Sequence, residues 1–297
     1  MKKALQYFVD NEYDKAFARV KQLVANERTI ENLHNLAWFY MHEEEKPICA
    51  KPLAEEVVVQ QPNHVFPYAL YGQILAHLGE YKLAEQMLEK ALQMERLPVI
   101  LHNLAYVYAE NRKWQQAAQC LVEIAEPSSY EKLYELYYRL QAGEDILPYI
   151  RQWSDEDDHF IGWSELAELL IEMGEFTMAV DYFEREWGEV IFSSYAIERY
   201  SYSLWKLGKV ERMDAILATA LQHIREMIVE VENESVEPNW TAEDKVERLQ
   251  ELQAEFQQIQ CLPRRLQQGY IPPLEMNFYV HGGCLLFGCP QHQHPYY

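Results

Sequence analysis

Basic residues are scarce in this 297-residue chain: 26 lysines and arginines stand against 47 aspartates and glutamates, a formal net charge of −21. Such a surplus is repelled by phosphate backbones and anionic lipid, so nucleic acid and membrane are poor partners, and a neutral-to-basic protein or peptide fits better. Glycine and proline are few as well, 11 and 13, beside 21 tyrosines and 7 tryptophans. A long all-β chain needs more turn residues, so the composition leans toward helices. No uncharged apolar run approaches the roughly 18–20 residues of a membrane span. The apolar patch after Met1-Lys2-Lys3 is broken at Gln6 and stops at Asp10, too short for a signal-peptide core. Five cysteines (Cys49, Cys120, Cys261, Cys284, Cys289) are odd in number and mostly scattered, which suits reduced thiols. A cytoplasmic setting is the expectation. Phosphate-binding glycine loops, H-E-x-x-H, G-x-S-x-G and the dinucleotide fingerprint are all missing. The absence of these motifs does not by itself exclude an enzyme.

What the sequence does have is a repeat. His34-Asn35-Leu36-Ala37 recurs unchanged as His102-Asn103-Leu104-Ala105, 68 residues on, twice 34. Gly174 and Gly208 are again 34 apart, each between matched apolar stripes. The pattern is a bulky residue, Leu and a small residue on one helix, Gly at the turn, then Ala, a bulky residue and Ala on the next. This resembles the tetratricopeptide repeat (TPR). Tyr68, Tyr71, Gly72, Gly79, Tyr81, Ala84, Leu88 and Ala91 carry the best-formed unit, at about 65–97, and Trp163, Leu166, Ala167, Gly174, Phe176, Ala179 and Phe183 the next, at about 160–193. Units at 98–131 and 30–64 match less closely. Asn111-Arg112-Lys113 replaces the turn glycine in one, and the turn Glu43–Pro47 is one residue longer than usual in the other. Residues 4–29 read as a shortened unit, and the pattern degrades over 132–159, where Tyr134, Tyr137 and Tyr138 keep helical spacing.

The resemblance implies an all-α fold: a TPR-type α-solenoid, a right-handed superhelix of at least ten antiparallel helices with essentially no strand. Small residues at Ala37, Gly72, Ala105, Ala167 and Ser201, facing Ala50, Ala84, Ala117 and Ala179, let paired helices approach closely. The expected divisions are an N-terminal stack at 1–153, a second stack at 160–235, a capping helix at 238–261 and an irregular tail at 262–297. Asp155, Glu156, Asp157 and Asp158 space carboxylates somewhat like a calcium loop, but Phe160 stands where that loop needs glycine, so a solvated linker is the reading.

First helices of TPR units line a concave groove, and the resemblance makes that groove the binding face. Spacing places His34, Asn35, Trp38, His102, Asn103, Tyr106, Arg199, Tyr202 and Trp205 there, with His42, Leu70, Gln73 and His77 beside them and Glu165, Glu168 and Glu172 in the second stack. Asparagine in a groove can bond a peptide backbone through both amide atoms, and aromatics beside it take apolar side chains. For Trp38 and Tyr106, packing between adjacent first helices is the equal alternative. TPR proteins that hold acidic chaperone C-termini use groove cations. Here the matching sites are His34, Trp38, Leu70, Val99 and Asn103, which argues against that role. The groove asparagines are more similar to those of TPR receptors for short signalling peptides.

The tail is different in kind: from Met276 onward it has no Asp, Glu, Lys or Arg. It gathers His281, Cys284, Cys289, His292 and His294. Cys284, Cys289, His292 and His294 could supply two thiolates and two imidazoles to zinc, although the spacing matches no zinc-finger class. A Cys284–Cys289 disulfide, or an apolar tail folded back on the solenoid or frayed, are the alternatives. The leading functional expectation is a non-enzymatic scaffold binding a protein or peptide in its concave face, in one version an immunity or inhibitor protein masking a basic partner. A peptide-sensing receptor, or a metal-binding protein with its site in the tail, are the other readings.

Overall fold

The computed structural model describes residues 1–154, 160–188, 193–237 and 239–297. Its helices are α1 (Lys2–Val9), α2 (Tyr13–Asn26), α3 (Ile30–His42), α4 (Pro47–Val59), α5 (Val65–His77), α6 (Tyr81–Met94), α7 (Pro98–Glu110), α8 (Trp114–Val122), α9 (Ser129–Gln141), α10 (Leu147–Ile150), α11 (Trp163–Glu172), α12 (Phe176–Glu186), α13 (Ser194–Lys206), α14 (Val210–Asn233) and α15 (Ala242–Gln267). Among the described residues no strand forms, and an isolated bridge joins Glu237 to Trp240. The acidic stretch 155–158, read above as a linker, lies outside the described residues.

The chain divides into two compact units, one of residues 1–146 with 277–297 and one of residues 147–276. In the first, each helix from α1 to α8 packs on its successor, and α3 touches α5 as α5 touches α7. That is a TPR-type stack in which alternate helices form one continuous row. In the second, α11 to α15 pack in succession, with α15 also against α13. The grouping differs from the sequence boundaries. The tail falls into two parts, residues up to Met276 with the second unit and residues from Asn277 with the first. The covering helix opens after the Thr241 cap, whose hydroxyl and Asp244 form a reciprocal capping box, and it runs to Gln267 rather than ending at Cys261.

Local chemistry explains the register. Ala37, Ala105, Ala167 and Ser201, and facing them Ala50, Ala84, Ala117 and Ala179, are fully buried, as the close approach of paired helices requires. Gly72 is the tightest point: a Cβ there would sit 2.6 Å from Leu88 Cγ. Three residues separate α5 from α6, with Gly79 left-handed at φ 73°. Between α7 and α8 Arg112 takes the same left-handed place at φ 59°, so the turn survives without glycine at a conformational cost of about 1–2 kcal/mol. The α3–α4 turn does have one residue more, and Glu45 supplies the positive φ.

Candidate functional site

The row formed by α3, α5 and α7 is covered by residues 277–287, which carry no helix or turn as far as Leu286. Two asparagines at the same repeat position hold this segment by its backbone. The Asn35 side chain donates from Nδ2 to the Phe287 carbonyl at 3.0 Å and accepts the Phe287 N–H on Oδ1 at 3.0 Å. Asn103 repeats the arrangement on His281, donating to its carbonyl at 3.1 Å and accepting its N–H at 2.7 Å. Each amide satisfies both backbone groups of one residue, a contact that ignores side-chain identity. The two clamped residues are six apart and the two asparagines two repeats apart. Six extended residues span about 20 Å, and two helix-packing steps of about 10 Å match it. Only a near-extended chain meets both clamps.

Further donors line the same path. The His34 Nε2 donates to the Leu285 carbonyl at 2.7 Å, and the Trp38 Nε1 donates to the Gly283 carbonyl at 3.4 Å. Burial under the segment pushes the His34 imidazole down to about 4, so at neutral pH it is uncharged with its proton on Nε2. His102 faces acceptors on both ring nitrogens: the Tyr279 carbonyl at 3.0 Å and a Glu131 carboxylate oxygen at 2.9 Å. Burial works to raise the Glu131 carboxyl, but hydrogen bonds from His102 and from the Ser128 backbone and hydroxyl prevail and hold it down to about 2. The Tyr130 hydroxyl donates to the Asn277 carbonyl.

Two aromatic side chains anchor the segment. Phe278 lies against His102 (centroids 4.4 Å), Tyr134 (4.5 Å), Tyr130 (5.5 Å) and Tyr138 (5.8 Å). Phe287 is fully buried against His34 (4.7 Å), His64 (4.9 Å) and Phe66 (5.4 Å). Between the anchors the path is narrow. A Cβ on Gly282 would approach His42 to 3.1 Å, and one on Gly283 would approach Val99 to 2.9 Å. His42 Nε2 and Gln73 Oε1 lie buried there without a partner among the described residues. A cavity of about 640 Å³ opens beside the segment, lined in part by Glu95, Glu126 and Glu131.

Of the residues singled out by sequence, His34, Asn35, Trp38, His102 and Asn103 therefore converge on one path. Trp38 serves both of its alternatives, since its ring also packs on Phe8 and Phe39. Tyr106 contacts Tyr81, with ring centroids 6.1 Å apart. In the second unit Arg199 is fully buried: Nε meets Glu168 at 2.5 Å, Nη1 meets Glu172 at 2.8 Å, and Nη1 also donates to the Pro272 carbonyl at 2.9 Å. Tyr202 stacks on Trp205 at 6.4 Å and meets Phe176 edge-on. Sequence reasoning missed Tyr130, Tyr134, Tyr138, His64, Phe66 and Glu131. The spacing of Tyr130, Tyr134 and Tyr138, which share one helix face, was the available signal.

In the tail, Cys284, Cys289 and His292 bring their ligand atoms within 4.8 Å of one another. The Cys289 Sγ is 3.3 Å from His292 Nδ1, and the Cys284 Sγ is 3.9 Å from His294 Nδ1. Both cysteines are free thiols. Burial, reinforced by Cys289, raises the Cys284 thiol to about 12.

Residues 67–96 match the tetratricopeptide repeat family model, the unit that α5 and α6 build. With the helix pairs stacked on either side of that unit, residues 1–146 have the fold of a TPR-type α-solenoid. A solved structure of Naa15/Naa10 bound to HypK-THB is similar over 91% of this chain at 13% identity, with a TM-score of 0.28; the chain spans about half of that one, 51%. No curated protein matches the sequence. Among the described residues, no helix is long and apolar enough to cross a membrane.

Proposed function

We propose that this chain is a non-enzymatic peptide-binding scaffold whose first-unit groove takes an extended, uncharged polypeptide segment. On this reading residues 277–287 are a built-in occupant that a partner segment of the same chemistry displaces. The observation that carries it is the pair of asparagines at equivalent repeat positions, each bonding both backbone groups of one segment residue. Backbone clamps give general affinity, while the two aromatic pockets and the narrow stretch between them give selectivity. The preferred occupant has aromatic side chains nine residues apart, as Phe278 and Phe287 are, with glycine at the two positions that pass His42 and Val99. The carboxylates lining the adjoining cavity favour a neutral-to-basic partner. This geometry favours peptide recognition over the masking of a basic protein surface, which needs no backbone clamp.

The test is competition. A labelled peptide of residues 275–297 is titrated against the chain lacking residues 277–297 and against the full chain. Binding to the shortened chain, at least about tenfold weaker to the full chain, is the expected result. Failure to bind a shortened chain that keeps its helical content would refute the reading.

A further inference from the structure

The loop that follows the Phe287 anchor forms, with Cys284 just before it, a cluster that the groove contacts do not use. We propose that Cys284, Cys289, His292 and His294 form a site for one zinc-class divalent ion, which staples the end of the groove-bound segment.

The geometry is close to what such an ion needs. Zinc takes thiolate sulfur at about 2.3 Å and imidazole nitrogen at about 2.0–2.1 Å in a tetrahedron, so its ligand atoms lie about 3.3–3.8 Å apart. The Cys289–His292 separation of 3.3 Å and the Cys284–His294 separation of 3.9 Å already fall near that spacing. The backbone between them is tied before any ion arrives. The Gly288 N–H donates to the Pro295 carbonyl at 2.8 Å, and the His294 N–H to the Cys289 carbonyl at 3.1 Å. Gly288 is left-handed at φ 71°, and a Cβ there would collide with the Tyr296 ring, so the loop path is tightly constrained. His294 Nδ1 now lies 3.1 Å from the Leu286 carbonyl, a contact it gives up to become the fourth ligand. His292 is exposed, which leaves an entry path. On binding, each thiol transfers its proton to solvent and its sulfur pair to the ion, so two protons are released per zinc and no oxidant is needed.

The site needs only Cys284 and the loop after Phe287, and none of the groove contacts. Its stapling role rests on the groove reading, and the test separates the two. Full-length protein without a histidine tag is stripped by chelator, given zinc chloride, desalted and analysed for metal. About one zinc per chain is expected, falling to background in Cys284→Ser and Cys289→Ser and reduced in His292→Ala and His294→Ala. Cobalt(II) in place of zinc should give thiolate charge-transfer and tetrahedral d–d bands. Less than about 0.2 zinc per chain, or equal zinc in the double cysteine variant with far-ultraviolet dichroism unchanged, overturns the site. Amide exchange over 282–290 should slow on zinc addition. An exchange rate indifferent to a stoichiometrically bound ion overturns the stapling role, whereas exchange of His281 in the Asn103→Ala variant reports on the groove independently of metal.

Discussion

Replacing Asn35 with alanine removes the two bonds that hold Phe287, and it does so inside a buried site, since Asn35 is 0% exposed and Phe287 likewise. If the segment stayed in place, its N–H and carbonyl would each be left unpaired at about 1–3 kcal/mol, together about 2–6 kcal/mol. The segment escapes that cost by leaving, because its backbone then regains water. Docking should therefore weaken by roughly thirty-fold to twenty-thousand-fold, capped by its own free energy. The repeats lose almost nothing, because the amide packs against the segment and not against the stripe that joins helix pairs. Leu36→Ala is the contrast, with an expected cost of about 2–5 kcal/mol to the whole stack. Amide hydrogen exchange read by mass spectrometry over 277–290, alongside thermal unfolding, distinguishes the two. Asn35→Ala should accelerate exchange at Leu285–Phe287 with little change in melting temperature, and Asn103→Ala should do the same at His281. Asn35→Asp keeps the acceptor for the Phe287 N–H but sets a carboxylate against its carbonyl, so it should resemble alanine. A melting temperature lowered by several degrees with exchange unchanged would show that the asparagines are inter-repeat struts and refute the clamp.

Acid should release the segment. His34 titrates near 4 when covered, against an ordinary value of 6.5. The uncovered state thus binds the extra proton between those values, and docking is complete above about pH 6.5 and lost as pH falls toward 4, by roughly thirty-fold at pH 5 if the uncovered imidazole is ordinary. His42, lowered to about 4 by burial, acts in the same direction. Exchange over 277–290, corrected for intrinsic rates, checks this, and a His34 resonance titrating at 6.5 in the docked chain would contradict it. Gly72→Ala sets two effects against each other. Alanine gains about 1 kcal/mol of helix propensity, while its Cβ overlaps Leu88 in a packed interface at about 1–3 kcal/mol. Net destabilisation in a urea melt is expected, and a stabilised variant would show that the α5–α6 contact is loose.

The repeats were legible because their physics is local and periodic. Sixty-eight residues, two repeats of 34, separate Ala37 from Ala105 and Asn35 from Asn103, with Gly72 between them, so helix pairing and the groove could be read without coordinates. Arg112 shows the limit on the conformational side: a left-handed turn needs a positive φ, and a sequence pattern keyed to glycine does not register an arginine that accepts the strain. The occupant of the groove was not legible for a different reason. Asn35 and Phe287 are 252 residues apart, and the segment has neither helical nor strand periodicity. Its pairing with the groove uses backbone groups that every residue possesses. What the sequence showed was an uncharged, glycine-containing, aromatic stretch, and that composition is what the path demands: charge would be buried against His34 and Trp38, and side chains would collide with His42 and Val99. The absence of charge after Met276 and the asparagines at repeat-equivalent positions are thus two sides of one complementarity. Neither side specifies the other without the fold that brings them together.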